Sequence, residues 1–358
     1  MIRCLIGICL TGLLYTDRTC SAEDFHPALA QPGVLKMEFI ADNPRTASSH
    51  ASTIIESQDV LLVAWFGGSH ERALDVSIWL SRNEGSGWSE PEEVANGYYE
   101  DEHVRYPCWN PVLFRGKDGP LYLFYKEGPN PASWWGMVKT SSDNGRSWSR
   151  AKRLPHDIVG PVRNKPIQLV DGTILCGASS EDEGWRVHME RTKNPLSLWT
   201  RTKTLNESMD IPAIQPTILE HEKNLQILCR TKQGRIAESW SGDQGVTWSR
   251  LMKTYLPNPN SAIDAVTLRN GKSLLVYNHS DSERSPMNVA LSSDGKRWFA
   301  GAVLDNKPGQ EFSYPAVIQS SDRLVHVTYS WNRERIRHVV IDPAKFKGRE
   351  ILEGRWPE

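Results

Sequence analysis

From Val34 onward the chain is built of short apolar runs punctuated by turn residues, with no helix-period stretch of useful length. The run Val34-Leu35-Lys36-Met37-Glu38-Phe39-Ile40 alternates like a strand with one buried face. A first unit then runs from Ala51-Ser52-Thr53-Ile54-Ile55 through Val60–Phe66 and Val76–Leu80 to Trp88. Hairpin-like pairs follow at regular distance. Asn110–Phe114 and Leu121–Tyr125 flank Lys117-Asp118-Gly119, and Lys165–Leu169 and Ile174–Cys176 flank Asp171-Gly172. Gln215–Leu219 precedes Leu225–Arg230, and Ala265–Leu268 and Ser273–Tyr277 flank Asn270-Gly271. A last unit holds Tyr314–Ile318, Leu324–Tyr329 and Ile336–Ile341, which makes six.

The units share a turn. Ser141-Ser142-Asp143-Asn144-Gly145-Arg146-Ser147-Trp148 returns as Ser241-Gly242-Asp243-Gln244-Gly245-Val246-Thr247-Trp248, and one residue short as Ser292-Ser293-Asp294-Gly295-Lys296-Arg297-Trp298. Ser81–Trp88 carries Asn for Asp, and Thr192–Trp199 is a worn copy. The tryptophans at 88, 148, 199, 248 and 298 are spaced by 60, 51, 49 and 50 residues, a period that means stacked or radially repeated units. Ser, Asp and Asn side chains bond nearby backbone N–H groups, Gly takes the positive φ, and Trp fixes the turn against its own sheet. These acidic residues are therefore expected to be scaffold and not catalyst. The pattern predicts an all-β chain of six repeated units, stacked or set radially.

Composition narrows the partners. With 42 Lys and Arg against 43 Asp and Glu, the net charge of −1 supplies no global field for nucleic acid or anionic membranes. Arg3, the apolar run Cys4–Leu14 and Cys20-Ser21-Ala22 read as a signal peptide over 1–22, too short to span a bilayer. The mature protein is expected to be secreted or periplasmic, without a membrane insertion, and monomeric. Cys108, Cys176 and Cys229 remain after cleavage, an odd number that predicts buried free thiols. No metal-binding spacing and no cofactor motif is present, so neither is expected.

The repeated turn is the Asp-box, S-x-D-x-G-x-x-W, and through it nearly all of the mature chain resembles the sialidase (neuraminidase) superfamily, which implies an all-β, six-bladed β-propeller in one domain over 23–358, its ring closed by the isolated strand Val34–Ile40. In a propeller, functional side chains gather where inner strands begin and in the loops just before them. Those positions hold His50, Trp109 and Asn110, then Arg163, Asn164 and Lys165, then Gln215, Asp264 and Tyr314. The resemblance implies three arginines clamping a substrate carboxylate, a Tyr nucleophile with a Glu partner, and an Asp acid/base. Arginine forks match carboxylates, and a neutral Tyr approaches an anomeric carbon that already carries one. Tyr314 in Phe312-Ser313-Tyr314-Pro315-Ala316 looks like the nucleophile, while Arg230 and Arg284 are similar to the second and third arginines.

Two positions depart from the pattern. Where the first arginine is implied the segment reads Ser49-His50-Ala51-Ser52, and Gln215 falls where the Glu would activate the phenol. An amide orients a phenol but does not accept its proton. Asp75 lies near the implied acid/base position, with Glu71 or His70 as substitutes; Arg72, His50, Arg163 and Lys165 join the candidate substrate-binding groups.

Three functions stay open at this point. The first is an exo-glycosidase acting on an acidic sugar of a glycan. The second is a polysaccharide lyase on uronic-acid glycans, for which His50, Arg163, Lys165 and His279 are available. The third is a glycan-binding propeller without catalysis.

Overall fold

The computed structural model describes residues 26–207 and 210–357; the expected leader and its cleavage site lie outside the described residues. Six antiparallel sheets of four strands account for the architecture. Blade one contains Ser48–Ser57, Val60–Gly68, Ser77–Asn83 and Glu92–Ala95. Blade two contains Cys108–Arg115, Leu121–Glu127, Trp135–Ser141 and Lys152–Arg153. Blade three contains Ile167–Gln168, Ile174–Ser180, Arg186–Thr192 and Trp199–Arg201. Blade four contains Ala213–Glu220, Leu225–Thr231, Arg235–Ser241 and Met252–Pro257. Blade five contains Asp264–Thr267, Ser273–Tyr277, Met287–Ser292 and Phe299–Asp305. Blade six contains Phe312–Gln319, Val325–Trp331 and Arg335–Ile341 from the C-terminal part of the chain.

The fourth strand of blade six is Val34–Phe39, which pairs antiparallel with Arg335–Ile341 from Val34↔Ile341 to Phe39↔Arg337. This closure removes a sheet edge and joins the two ends of the ring. It is also a polar seam. His326 Nδ1 and His338 Nε2 lie 3.0 Å apart, His338 Nδ1 lies 2.9 Å from Glu38 Oε1, and the blade-one Trp88 indole donates to the same oxygen at 3.0 Å.

The Asp-boxes are built as turns. Asp143 Oδ1 accepts from Ser141 Oγ at 2.7 Å and Ser147 N at 2.8 Å, and Ser141 Oγ accepts from Gly145 N at 2.8 Å. Asp243 makes the matching bonds to Ser241, Thr247 N and Thr247 Oγ1. Hydrogen bonds from Ser147 hold Asp143 below the usual carboxylate range, as expected of an anion locked into a turn. In the worn copy Thr192 Oγ1 and Asn194 Oδ1 accept the equivalent backbone donors. The sequence predicts each turn to pack against its own sheet. Instead it is wedged against the preceding blade as well: a Cβ on Gly145 would stand 2.7 Å from Leu62, and one on Gly245 2.7 Å from Leu175. Trp148 and Trp248 pack into apolar clusters shared by adjacent blades.

The inner strands meet each other around the axis. Ser48–Ser57 packs against both Cys108–Arg115 and Phe312–Gln319, and Asp264–Thr267 packs against Ala213–Glu220 and Phe312–Gln319. Past blade six, the tail folds back along blade five, where Ala300 N donates to Arg349 O and Ile351 N to Trp298 O, each at 2.8 Å. No helix among the described residues is long and apolar enough to cross a membrane.

Candidate active site

Each inner strand starts at the same rim, and the loops joining second to third strands lie on that rim too. Four inner strands carry a bulge at the same level, between His50 and Thr53, Trp109 and Val112, Ile214 and Thr217, and Ser313 and Ala316. In each bulge one residue other than glycine adopts positive φ: Ala51 (52°), Asn110 (39°), Gln215 (57°) and Tyr314 (55°). Bulges re-aim side chains, and left-handed non-glycine residues persist only where surrounding contacts hold them. In blade three the left-handed residue is Arg163 (φ 75°), two residues ahead of Lys165. The run read from Lys165 therefore begins two residues past the left-handed position, whereas the run read from Gln215 begins on it.

That register explains what Arg163 does. Its guanidinium is buried and donates to the carbonyls of Tyr314 at 2.9 Å, Ile263 at 3.3 Å and Ser52 at 3.4 Å, to Pro315 O, and to Asn164 Oδ1 at 2.7 Å. Burial pulls it down to about 10, so it remains a cation at neutral pH. Lys165 Nζ donates to Asp264 Oδ2 at 2.9 Å and Ala265 O at 2.8 Å. Asp264 also accepts from Thr217 Oγ1 at 2.8 Å and Val317 N at 2.9 Å, and Asn164 donates to Gln215 O at 2.9 Å. These groups form a polar hub that knits the inner strands beneath the mouth. The polar ends of Arg163 and Lys165 are engaged within it.

Above the hub sits Tyr314. Its hydroxyl accepts from Arg230 Nη1 at 2.9 Å, and the same nitrogen donates to Gln215 Oε1 at 3.2 Å. The guanidinium carbons of Arg230 and Arg284 lie 5.6 and 5.8 Å from the Tyr314 ring centre. Burial pushes the phenol up, but Arg230 and Arg284 outweigh it and bring the net pKa below the ordinary tyrosine value. Arg230 is backed by the face of Trp185 at 5.0 Å, whose indole donates to Glu181 at 3.0 Å.

His50 occupies the other side of the phenol, its ring centre 4.3 Å from that of Tyr314. It is buried, and neither ring nitrogen has a hydrogen-bond partner among the described residues. Burial, reinforced by Arg333, Arg284, Arg163 and Arg230, keeps the imidazole neutral far below its usual range. His50 therefore adds no positive charge where the missing arginine is implied.

The loop Ser69–Val76 separates its acidic residues. Asp75 is exposed and closes its own loop, accepting from Ser69 N at 2.9 Å and Ser69 Oγ at 3.0 Å. Glu71 faces the mouth: it pairs with Arg333 Nη1, and its charge acts on Tyr314. Arg72 is exposed, with its charge felt by Glu181. His279 bonds Tyr277 OH at 2.5 Å and Gly354 O at 3.0 Å, which ties it to the C-terminal tail.

Two residues at the rim were not anticipated. Arg333 donates from Nε to both oxygens of Glu311 at 3.0 Å, and Arg284 Nη1 reaches Glu311 Oε1 at 2.9 Å. Arg333 sits in the second-to-third connection of blade six, as Arg284 does in blade five and Glu71 in blade one. Scanning those connections alongside the strand beginnings would have found it. Cys108, Cys176 and Cys229 are free and buried, and among the described residues no cluster of His, Cys, Asp or Glu is placed to hold a metal ion.

Architecture and rim together define a sialidase-like Asp-box propeller with Arg230 and Arg284 gathered on Tyr314 near its axis. The chain belongs to the BNR repeat-like domain family, whose model matches residues 59–327. Solved structures share the fold at low identity. A Dyadobacter fermentans protein of unknown function is 15% identical with a TM-score of 0.72, covering 87% of this chain and 99% of its own. A Hadza microbial sialidase is 17% identical with a TM-score of 0.70, covering 84% and 67%. An intramolecular trans-sialidase from Ruminococcus gnavus, in complex with oseltamivir carboxylate, is 13% identical with a TM-score of 0.71, covering 87% and 98%. No curated protein matches the chain.

Proposed function

We propose that this chain is an exo-acting glycosidase that holds the carboxylate of a terminal acidic sugar against Arg230 and Arg284 and attacks its anomeric carbon with Tyr314. The observation that carries the reading is the Tyr314 hydroxyl held by Arg230 at 2.9 Å, with a second guanidinium over the ring. Guanidiniums that face a carboxylate also stabilise a phenolate, so one cluster orients the substrate and prepares the nucleophile. The phenol loses its proton to solvent, its oxygen bonds the anomeric carbon, and the glycosidic C–O bond breaks. Glu71, the carboxyl on the mouth side of its loop, protonates the leaving oxygen; water then releases the sugar.

One observation favours a second reading. Among the described residues the Tyr314 hydroxyl bonds Arg230 and no carboxylate, and a phenolate among arginines is also a base. On a uronate such a base removes the proton beside the carboxylate, and the arginines neutralise the charge that develops, which is lyase chemistry. A screen of the purified protein on sialosides and uronate glycans separates the two. Release of free acidic sugar without a new ultraviolet chromophore supports the hydrolase, and an unsaturated uronate product supports the lyase. Binding without turnover on either panel would leave only a lectin.

A further inference from the structure

We infer that Arg333 supplies the carboxylate-binding arginine that the first strand of blade one lacks, and that a bound carboxylate takes the place Glu71 holds on it. The inference rests on the proposal that an acidic sugar occupies this mouth. Arg333 comes from a different blade, yet its backbone touches the strand on which the missing arginine is implied: Ser49 N, beside His50, donates to Arg333 O at 2.7 Å. The turn that achieves this places Asn332 (φ 51°) and Arg333 (φ 59°) in the left-handed region in succession. Two such residues together need the backing of surrounding contacts. Asn332 supplies it, donating from its N–H to Glu311 O at 2.7 Å and accepting from Glu311 N at 3.0 Å.

The two carboxylates on Arg333 differ in how firmly they are held. Glu311 is bound by Arg333 Nε, by Arg284 Nη1 and by Ser313 Oγ at 2.6 Å, so it anchors both arginines. Glu71 has Arg333 as its side-chain partner among the described residues, and it rides on an exposed-rim loop. Arg333 Nη2 has no protein partner among the described residues, and the side chain is about a third exposed at 33%. A substrate carboxylate entering beside Tyr314 therefore meets a fork with one open nitrogen and one occupied by an exchangeable anion. Exchange completes a clamp of Arg230, Arg284 and Arg333. It also frees Glu71 from its ion pair, and the freed carboxylate takes up a proton from solvent that it then passes to the leaving oxygen.

Calorimetric binding tests this with two pairs of probes, D-glucuronate with D-glucuronamide and N-acetylneuraminate with its methyl ester. Arg333→Ala should weaken the charged member of whichever pair binds by about 10- to 100-fold and leave the neutral member unchanged. Arg333→Lys, which keeps the charge without the fork and guards against a folding defect, should lie between. Glu71→Gln should tighten the charged member several-fold by removing the competing anion. If the wild type binds a charged probe and Arg333→Ala binds it equally well, or loses both members alike, this inference is overturned while the acidic-sugar reading stands. If the wild type binds neither charged probe, both are overturned.

Discussion

Tyr314 and Arg163 show how two side chains at adjoining levels of one axis do different work. Tyr314 presents its hydroxyl to Arg230, whereas Arg163 lies beneath and bonds the Tyr314 and Pro315 carbonyls. Tyr314→Phe should lower turnover by at least about three orders of magnitude and leave thermal unfolding nearly unchanged, because only a hydroxyl is removed from a partly open site. A mutant that keeps full activity in a steady-state assay removes Tyr314 from the mechanism. Arg163→Leu should do the reverse first, costing on the order of 3–5 kcal/mol in urea denaturation because buried carbonyls lose their donor. The sequence made Tyr314, Arg230 and Arg284 legible because each falls at a recognisable place in a repeating frame. Arg163 joined the candidate binding groups because it stands just before an inner strand; the sequence does not show that its guanidinium bonds inner-strand carbonyls, and its φ of 75° marks the position. Arg333 escaped because a short polar turn between strands carries no periodic signal.

Among the elements, the closing strand carries the clearest pH dependence. Burial lowers His326 to about 4 and pulls His338 below its usual value of 6.5, while Glu38, bonded by His338, Lys36 and Trp88, is lowered to about 2 against the upward push of burial. Both histidines have folded values below their unfolded ones, so their contribution is whole above about pH 6.5 and is lost as pH falls toward 4. Glu38 extends the loss below 4.5 toward 2. The sign is the same for all three: acid weakens the seam. Urea midpoints should fall between pH 7 and pH 4.5, with on the order of 2–3 kcal/mol traceable to His326, and His326→Leu should flatten that slope. An unchanged slope would assign the acid sensitivity to other groups. Strand existence and order were readable here from alternation and turn chemistry. The short outer strands and the tail over blade five were not, because their pairing is decided by neighbours distant in sequence.

At the scale of the molecule, six sheets that each leave an apolar face unburied become stable only when the ring closes. Unfolding should therefore be one cooperative transition, with tryptophan fluorescence and far-ultraviolet circular dichroism superimposing; two separated transitions would contradict the single-domain reading. Closure also brings inner strands from blades one, four and six, with the loops of blades five and six, around Tyr314. The repeat made that architecture foreseeable, while its chemistry depends on a few side chains the repeat does not specify. The central claim is that this mouth grips a carboxylated sugar between guanidiniums beside a phenol. A crystal structure of the Tyr314→Phe protein with a bound sialic or uronic acid tests it most directly. The account predicts the sugar carboxylate within hydrogen-bonding distance of Arg230 and Arg284, with the anomeric carbon facing residue 314; density for the sugar elsewhere, or a carboxylate turned to solvent, would contradict it.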